Sequence, residues 1–134
     1  MSSLDRMAPQ VLSVLRIITA LLFMEHGLMK AFHFPGVQPG VPDPLPMVLV
    51  VAAWIEIILG GLIATGLFTR AAAFVCAGQM AAAYFIAHFP GSPWPGINQG
   101  DAAIMFCFIF LYLVFAGTGP WSVDAMRKPA TASR

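Results

Sequence analysis

Four ionisable side chains, Arg16, Glu25, His26 and Lys30, stand in one apolar run, and Glu56 stands in another, Trp54-Ile-Glu-Ile-Ile-Leu-Gly-Gly61. Charged groups are costly in hydrocarbon, so in such a run they face a protein interior or a watery cavity. At ~100° per residue, Arg16, Thr19, Phe23, His26, Lys30 and His33 share a face about 100° wide, with Glu25 roughly opposite Arg16. The first apolar helix therefore carries a polar seam that the other helices must cover. Glu56, with Ala52, Gly60 and Ala64, forms an i,i+4 ridge of small residues suited to close helix contact. A carboxylate at that depth must be protonated, paired or hydrated. Arg16 is its expected partner through its long side chain, and Gln79 is expected at similar depth. Such a group serves either as a buried polar knot fixing helix packing or as a proton- or quinone-handling site.

A second group of polar residues is expected near the opposite ends of the helices: Glu25, His26, Lys30, His33, His88 and Asn98-Gln-Gly-Asp101. Three histidines and two carboxylates in one layer could relay protons or bind a metal. His26, His33 and His88 are weak metal candidates, because His26 and His33 are seven residues apart rather than three or four. The competing reading is interfacial anchoring, with Lys30 and His33 snorkelling and Asp101 at a helix start. Cys76 and Cys107 are expected on the order of 10 Å apart in depth, beyond disulfide reach. No CxxC, Gly-rich nucleotide motif or hydrolase triad is legible.

The elements that position these groups follow from composition. The chain has 134 residues, 59% hydrophobic and 10% charged, with net charge +1. That balance fits a membrane protein in contact with the lipid bilayer and gives no footprint for nucleic acid. Apolar segments at about 9–33, 46–67, 70–88 and 101–116 predict an all-α, four-helix transmembrane bundle forming a single domain. The five-proline stretch 34–46 and the stretch 89–96 read as Pro/Gly loops, and 117–134 as a basic tail. The N-terminus resembles a signal peptide only at first sight, because Glu25 and His26 stand where a small-residue cleavage site would fall; it reads as a retained helix. Arg6, Arg70, Arg127, Lys128 and Arg134 fall on one side of such a bundle, and no Lys or Arg falls in either Pro-rich loop. The positive-inside rule then predicts a multi-pass protein of the bacterial inner membrane, both termini cytoplasmic. Trp94 and Trp121 are expected at opposite interfaces.

Arg16, His26-Gly27…Lys30, Glu56…Gly60-Gly61, Gly66-Leu67…Thr69-Arg70, Asn98-Gln-Gly-Asp101 and Gly117-Thr-Gly-Pro-Trp-Ser-Val-Asp124 occur in this order over nearly the whole chain. As an ordered set they resemble the DoxX family of small bacterial membrane proteins. Two positions depart from the family's Asn-Gly-Gly-Glu: Gln99 replaces a glycine and Asp101 a glutamate. The resemblance implies a four-helix membrane bundle and a link to respiratory or oxidative-stress systems, with redox-complex subunits as partners. It carries over Arg16, His26, Lys30, Glu56, Asp101 and Asp124 as family-type polar positions, with no assigned catalytic role. Relatives of the family occur with quinone-reducing sulfur oxidoreductases, so a quinone is the cofactor it leaves open. Three functions compete: a non-catalytic membrane subunit or scaffold, a quinone-linked oxidoreductase component, and a small proton or solute transporter using Glu56.

Overall fold

The computed structural model describes residues 1–128, and their regular structure is entirely helical. Helix α1 runs over Ser3–Phe32, α2 over Met47–Thr65 and α3 over Thr69–Ala83. A π-helical turn, Tyr84–His88, and a 3-10 turn, Phe89–Gly91, continue α3. Short α4, Pro95–Asn98, interrupts the second Pro/Gly loop; α5 spans Asp101–Ala116 and α6 spans Val123–Arg127. Three spans are long and apolar enough to cross a membrane: Ser3–Phe32, Met47–Thr65 and Thr69–Gly91. Helix α5 is equally apolar in character but shorter, at 16 residues, or ~24 Å.

Helix α1 begins two turns before Pro9, where the first span was expected to start. Ser2 accepts from the Asp5 amide while the Asp5 carboxylate accepts from the Ser2 amide, a reciprocal cap that satisfies two of the helix's free donors. Pro9 lies inside the helix instead of opening it. The other end closes at His33, whose left-handed backbone lets its amide and that of Phe34 reach the carbonyls of Met29 and Leu28.

Helices α1 and α2 pack along most of their length, as do α3 and α5, and α2 joins the two pairs through α3. Phe23, Phe110, Ile63, Ala73, Cys76 and Leu113 meet at the centre, with Phe23 and Phe110 edge to face at 4.8 Å. Cys76 is buried and Cys107 half-buried, and both are free thiols. The distribution of polarity is inverted relative to a water-soluble domain. Ser13, Arg16, Thr19 and Glu56 are buried, while Ile18, Leu21, Leu22, Phe74, Phe108, Tyr112 and Phe115 point outward. An apolar skin of that extent over helices with polar interiors is what lipid contact selects.

The expected basic tail beginning at residue 117 is a correction. Residues 117–128 fold back under the helix ends, and α6 docks through the Asp124 amide onto Gly66 O at 3.0 Å. Arg134, counted above among the basic residues, lies outside the described residues.

Candidate functional site

The register of α1 against α2 is set where Gly27 meets α2. A Cβ on Gly27 would stand 2.7 Å from Ala53 O and 2.9 Å from Glu56 Cβ, so only glycine permits this approach. Lys30 follows one turn later on the same face. Its ammonium lies 2.7 and 3.0 Å from the two carboxylate oxygens of Glu56. Gln79 Nε2, from α3, donates to Glu56 Oε1 at 3.0 Å and approaches Ala52 O at 3.5 Å. The pair is almost sealed: the Lys30 and Glu56 side chains are 9% and 3% exposed. Three helices are thus tied at one point in their apolar length by a charge-assisted network.

The expected Arg16–Glu56 pair does not form. With Gly27 beside Glu56, Arg16 lies eleven residues, or ~16 Å, further toward the other end of α1. There its fully buried guanidinium donates to Thr118 O, to Trp121 O at 2.6 Å and to Ala64 O at 3.4 Å. Helix ends leave their last carbonyls without intrahelical partners, and Ala64 is one of these. The segment that supplies Thr118 and Trp121 is held close by Ser13, whose hydroxyl accepts from the Trp121 amide at 3.2 Å. Gly119, at φ +71°, packs so near α1 that a Cβ would stand 3.0 Å from Pro9 O. Arg70 does for α5 what Arg16 does for α2, donating to Val114 O at 2.7 Å and Phe115 O at 2.8 Å.

The remaining expected site residues are dispersed. His26 is half-buried, edge-on to Phe106 at 5.9 Å. His33 is exposed as the α1 cap, and His88 Nδ1 lies 3.0 Å from Asn98 O. Among the described residues no three His, Cys, Asp or Glu side chains come together as a metal group, so the three histidines do not form the layer that a metal site requires. Asp101 is exposed in the first turn of α5, and Asp124 is half-buried in the first turn of α6. Lys30 does not snorkel outward; it turns inward to Glu56. Of the seven candidates, the structure joins Lys30, Glu56 and Gln79, sets Arg16 and Asp124 at the opposite end, and leaves His26 and Asp101 apart.

Sequence reasoning missed the Tyr84–Asn98–Ser92 contacts, in which Asn98 Nδ2 donates to Ser92 O at 2.8 Å and reaches Tyr84 Oη at 3.3 Å. It also missed the carbonyl-binding roles of Arg16 and Arg70. The signal for both lay in Gly117-Thr-Gly-Pro-Trp-Ser, whose two glycines allow a tight return beneath the helices.

The DoxX family model matches residues 11–89, a stretch that contains Arg16, Lys30, Glu56, Gln79 and the whole of the α1–α2–α3 knot. The chain belongs to the DoxX family. A DoxX chain of this kind, with apolar helices around buried charges, is a multi-pass membrane protein. It is similar along nearly its full length to an uncharacterized protein of Haemophilus influenzae (strain ATCC 51907 / DSM 11121 / KW20 / Rd). The two are 40% identical over 131 residues, which is 92% of this chain and 96% of the relative. No solved structure matches the chain.

Proposed function

We propose that this DoxX protein is a four-helix membrane subunit or scaffold of a respiratory or oxidative-stress redox system, held in the bacterial inner membrane with both termini cytoplasmic. The observation that carries the scaffold reading is the saturation of Glu56. Both of its oxygens are engaged by Lys30 and one also by Gln79, in a setting nearly closed to solvent. A carboxylate so held fixes the relative placement of three helices, which is the property a scaffold needs. In the fourth span, α5 reaches ~24 Å, and the folded segment after it carries Trp121, exposed at the same end as Arg70 and Arg127. The basic residues gathered at that end support a cytoplasmic placement. The link to redox systems rests on the family resemblance.

Two measurements test the proposal. Ser92→Cys, in a chain with Cys76 and Cys107 replaced by alanine, should react with an impermeant thiol reagent from outside intact cells. Reaction only after permeabilisation would reverse the orientation. Gentle-detergent purification should co-isolate redox-complex subunits, and Glu56→Gln should leave proton flux in liposomes at the lipid background. A flux carried by the parent chain and abolished by Glu56→Gln would replace the scaffold with a transporter.

A further inference from the structure

The inner end of the helix assembly holds an open-sided groove of about 1210 Å³ between the first turns of α1, the start of α3, the end of α5 and α6. This exceeds the roughly 300–1,000 Å³ of pockets that enclose drug-sized ligands. Its lining divides by chemistry. Leu12, Phe68 and Tyr112 give it an apolar floor, and Arg70, Arg127 and Lys128 give it a cationic rim. Phe68 and Tyr112 are largely exposed, and the Arg127 guanidinium sits over the Phe68 ring at 5.5 Å. Two carboxylates also line the groove. Asp5 accepts from the Ser2 amide at 2.7 Å, and Asp124 is half-buried in the first turn of α6. Among the described residues neither Arg127 nor Lys128 is paired with a carboxylate.

The start of α3 borders the same groove. Helix α3 starts with no side-chain cap, so the first amides of a 15-residue helix lack one acceptor that such helix starts ordinarily find. Thr69, fully buried at that start and lining the groove, has a hydroxyl with no hydrogen-bond partner. A helix start without a side-chain cap, a hydroxyl without a partner and three cations together favour an anion. An apolar floor directly beside them favours an anion attached to acyl chains.

We propose that this groove is a binding site for an anionic phospholipid, with the phosphate at Arg127, Lys128 and the start of α3 and the acyl chains along Leu12 and Tyr112. The assignment to the inner leaflet rests on the orientation proposed above; the site itself does not. Basic pockets at the cytoplasmic ends of membrane helices are suited to acidic headgroups, each nearby cation adding to the attraction.

The test is native mass spectrometry of the full-length protein in mild detergent, titrated with phosphatidylglycerol and, separately, with phosphatidylcholine. Phosphatidylglycerol should bind in preference, and R127Q/K128Q should weaken it by about thirtyfold, as expected for two interfacial cations, while leaving phosphatidylcholine unchanged. Arg70 is left intact because it also holds the end of α5. A thermal melt of R127Q/K128Q equal to the parent's shows that lost binding is not lost folding; if the double variant melts early, the single variants R127Q and K128Q, each expected to weaken binding about fivefold, replace it. Equal affinity for the two lipids, or full phosphatidylglycerol binding by folded R127Q/K128Q, would overturn the site. Displacement of phosphatidylglycerol by millimolar inorganic phosphate would overturn the lipid assignment. Reversed labelling at Ser92 with the preference intact would sink the orientation alone.

Discussion

Helix α1 buries two cations fourteen residues apart, and each finds a different kind of partner. Lys30 meets a carboxylate and Arg16 meets backbone carbonyls. The difference follows from which acceptors are left over at each depth. Near Lys30 the carbonyls of Leu28 and Met29 are taken by the amides of Phe34 and His33. The facing carbonyls of α2 lie mid-helix and serve its own ladder. A buried ammonium there needs a side-chain acceptor, and Glu56 supplies it. Near Arg16, α2 is ending. Ile63 and Leu62 accept from Gly66 and Leu67, but Ala64 O remains, and the return segment brings Thr118 O and Trp121 O beside it. Three acceptors in different directions suit a planar guanidinium with its fork of donors better than an ammonium. In a helical membrane protein, a buried cation facing the middle of a neighbouring helix calls for an acid, whereas one facing a helix end can be held by free carbonyls alone.

The comparison breaks most visibly if the two cations are exchanged as partners of Glu56. Lys30→Met should leave a buried carboxylate without its counter-charge and destabilise the protein by about 3–5 kcal/mol. Thermal shift in detergent should then show Lys30→Met/Glu56→Gln recovering part of that loss. Arg16→Met should combine additively with Glu56→Gln, since the two are ~16 Å apart along the helix axis. Recovery in the Arg16 cycle and none in the Lys30 cycle would restore the pairing that sequence reasoning favoured.

A smaller effect separates the two kinds of cation. Arg16→Lys keeps the charge but cannot reach all three carbonyls, so it should cost about 1.5–3 kcal/mol, the range of one hydrogen bond to a charged group. The melting temperature should fall accordingly, with the Lys30–Glu56 cycle unchanged. A neutral result would mean that charge alone, not fork geometry, holds the return segment.

The smallest effect is expected outside both regions. Asp101 is exposed and touches neither cation's site, so Asp101→Asn should change stability by less than about 0.5 kcal/mol. Unchanged melting together with lost activity in cells would move Asp101 from surface to chemistry.

Composition and periodicity alone determined that this chain is a set of apolar helices with polar groups turned inward. Hydrophobic run length marks the spans, and an ionisable residue within such a run must seek other protein groups whatever the fold. The polar seam of α1 and the matching depth of Glu56 and Gln79 were legible for the same reason, since rise per residue converts position into depth within one helix. Which cation would meet Glu56 was not legible. Depth along one helix is fixed by sequence, but the sliding of one helix past another is fixed by where their surfaces fit, here at Gly27 against Ala53 and Glu56. A slip of the α1–α2 register exchanges one partner for another while leaving every hydrophobic pattern intact. The return of residues 117–122 beneath the bundle was hidden likewise, because its hydrogen bonds join residues more than a hundred positions apart, Arg16 to Thr118 and Ser13 to Trp121. Local sequence sets what each segment must bury; only the tertiary contact decides which buried groups meet.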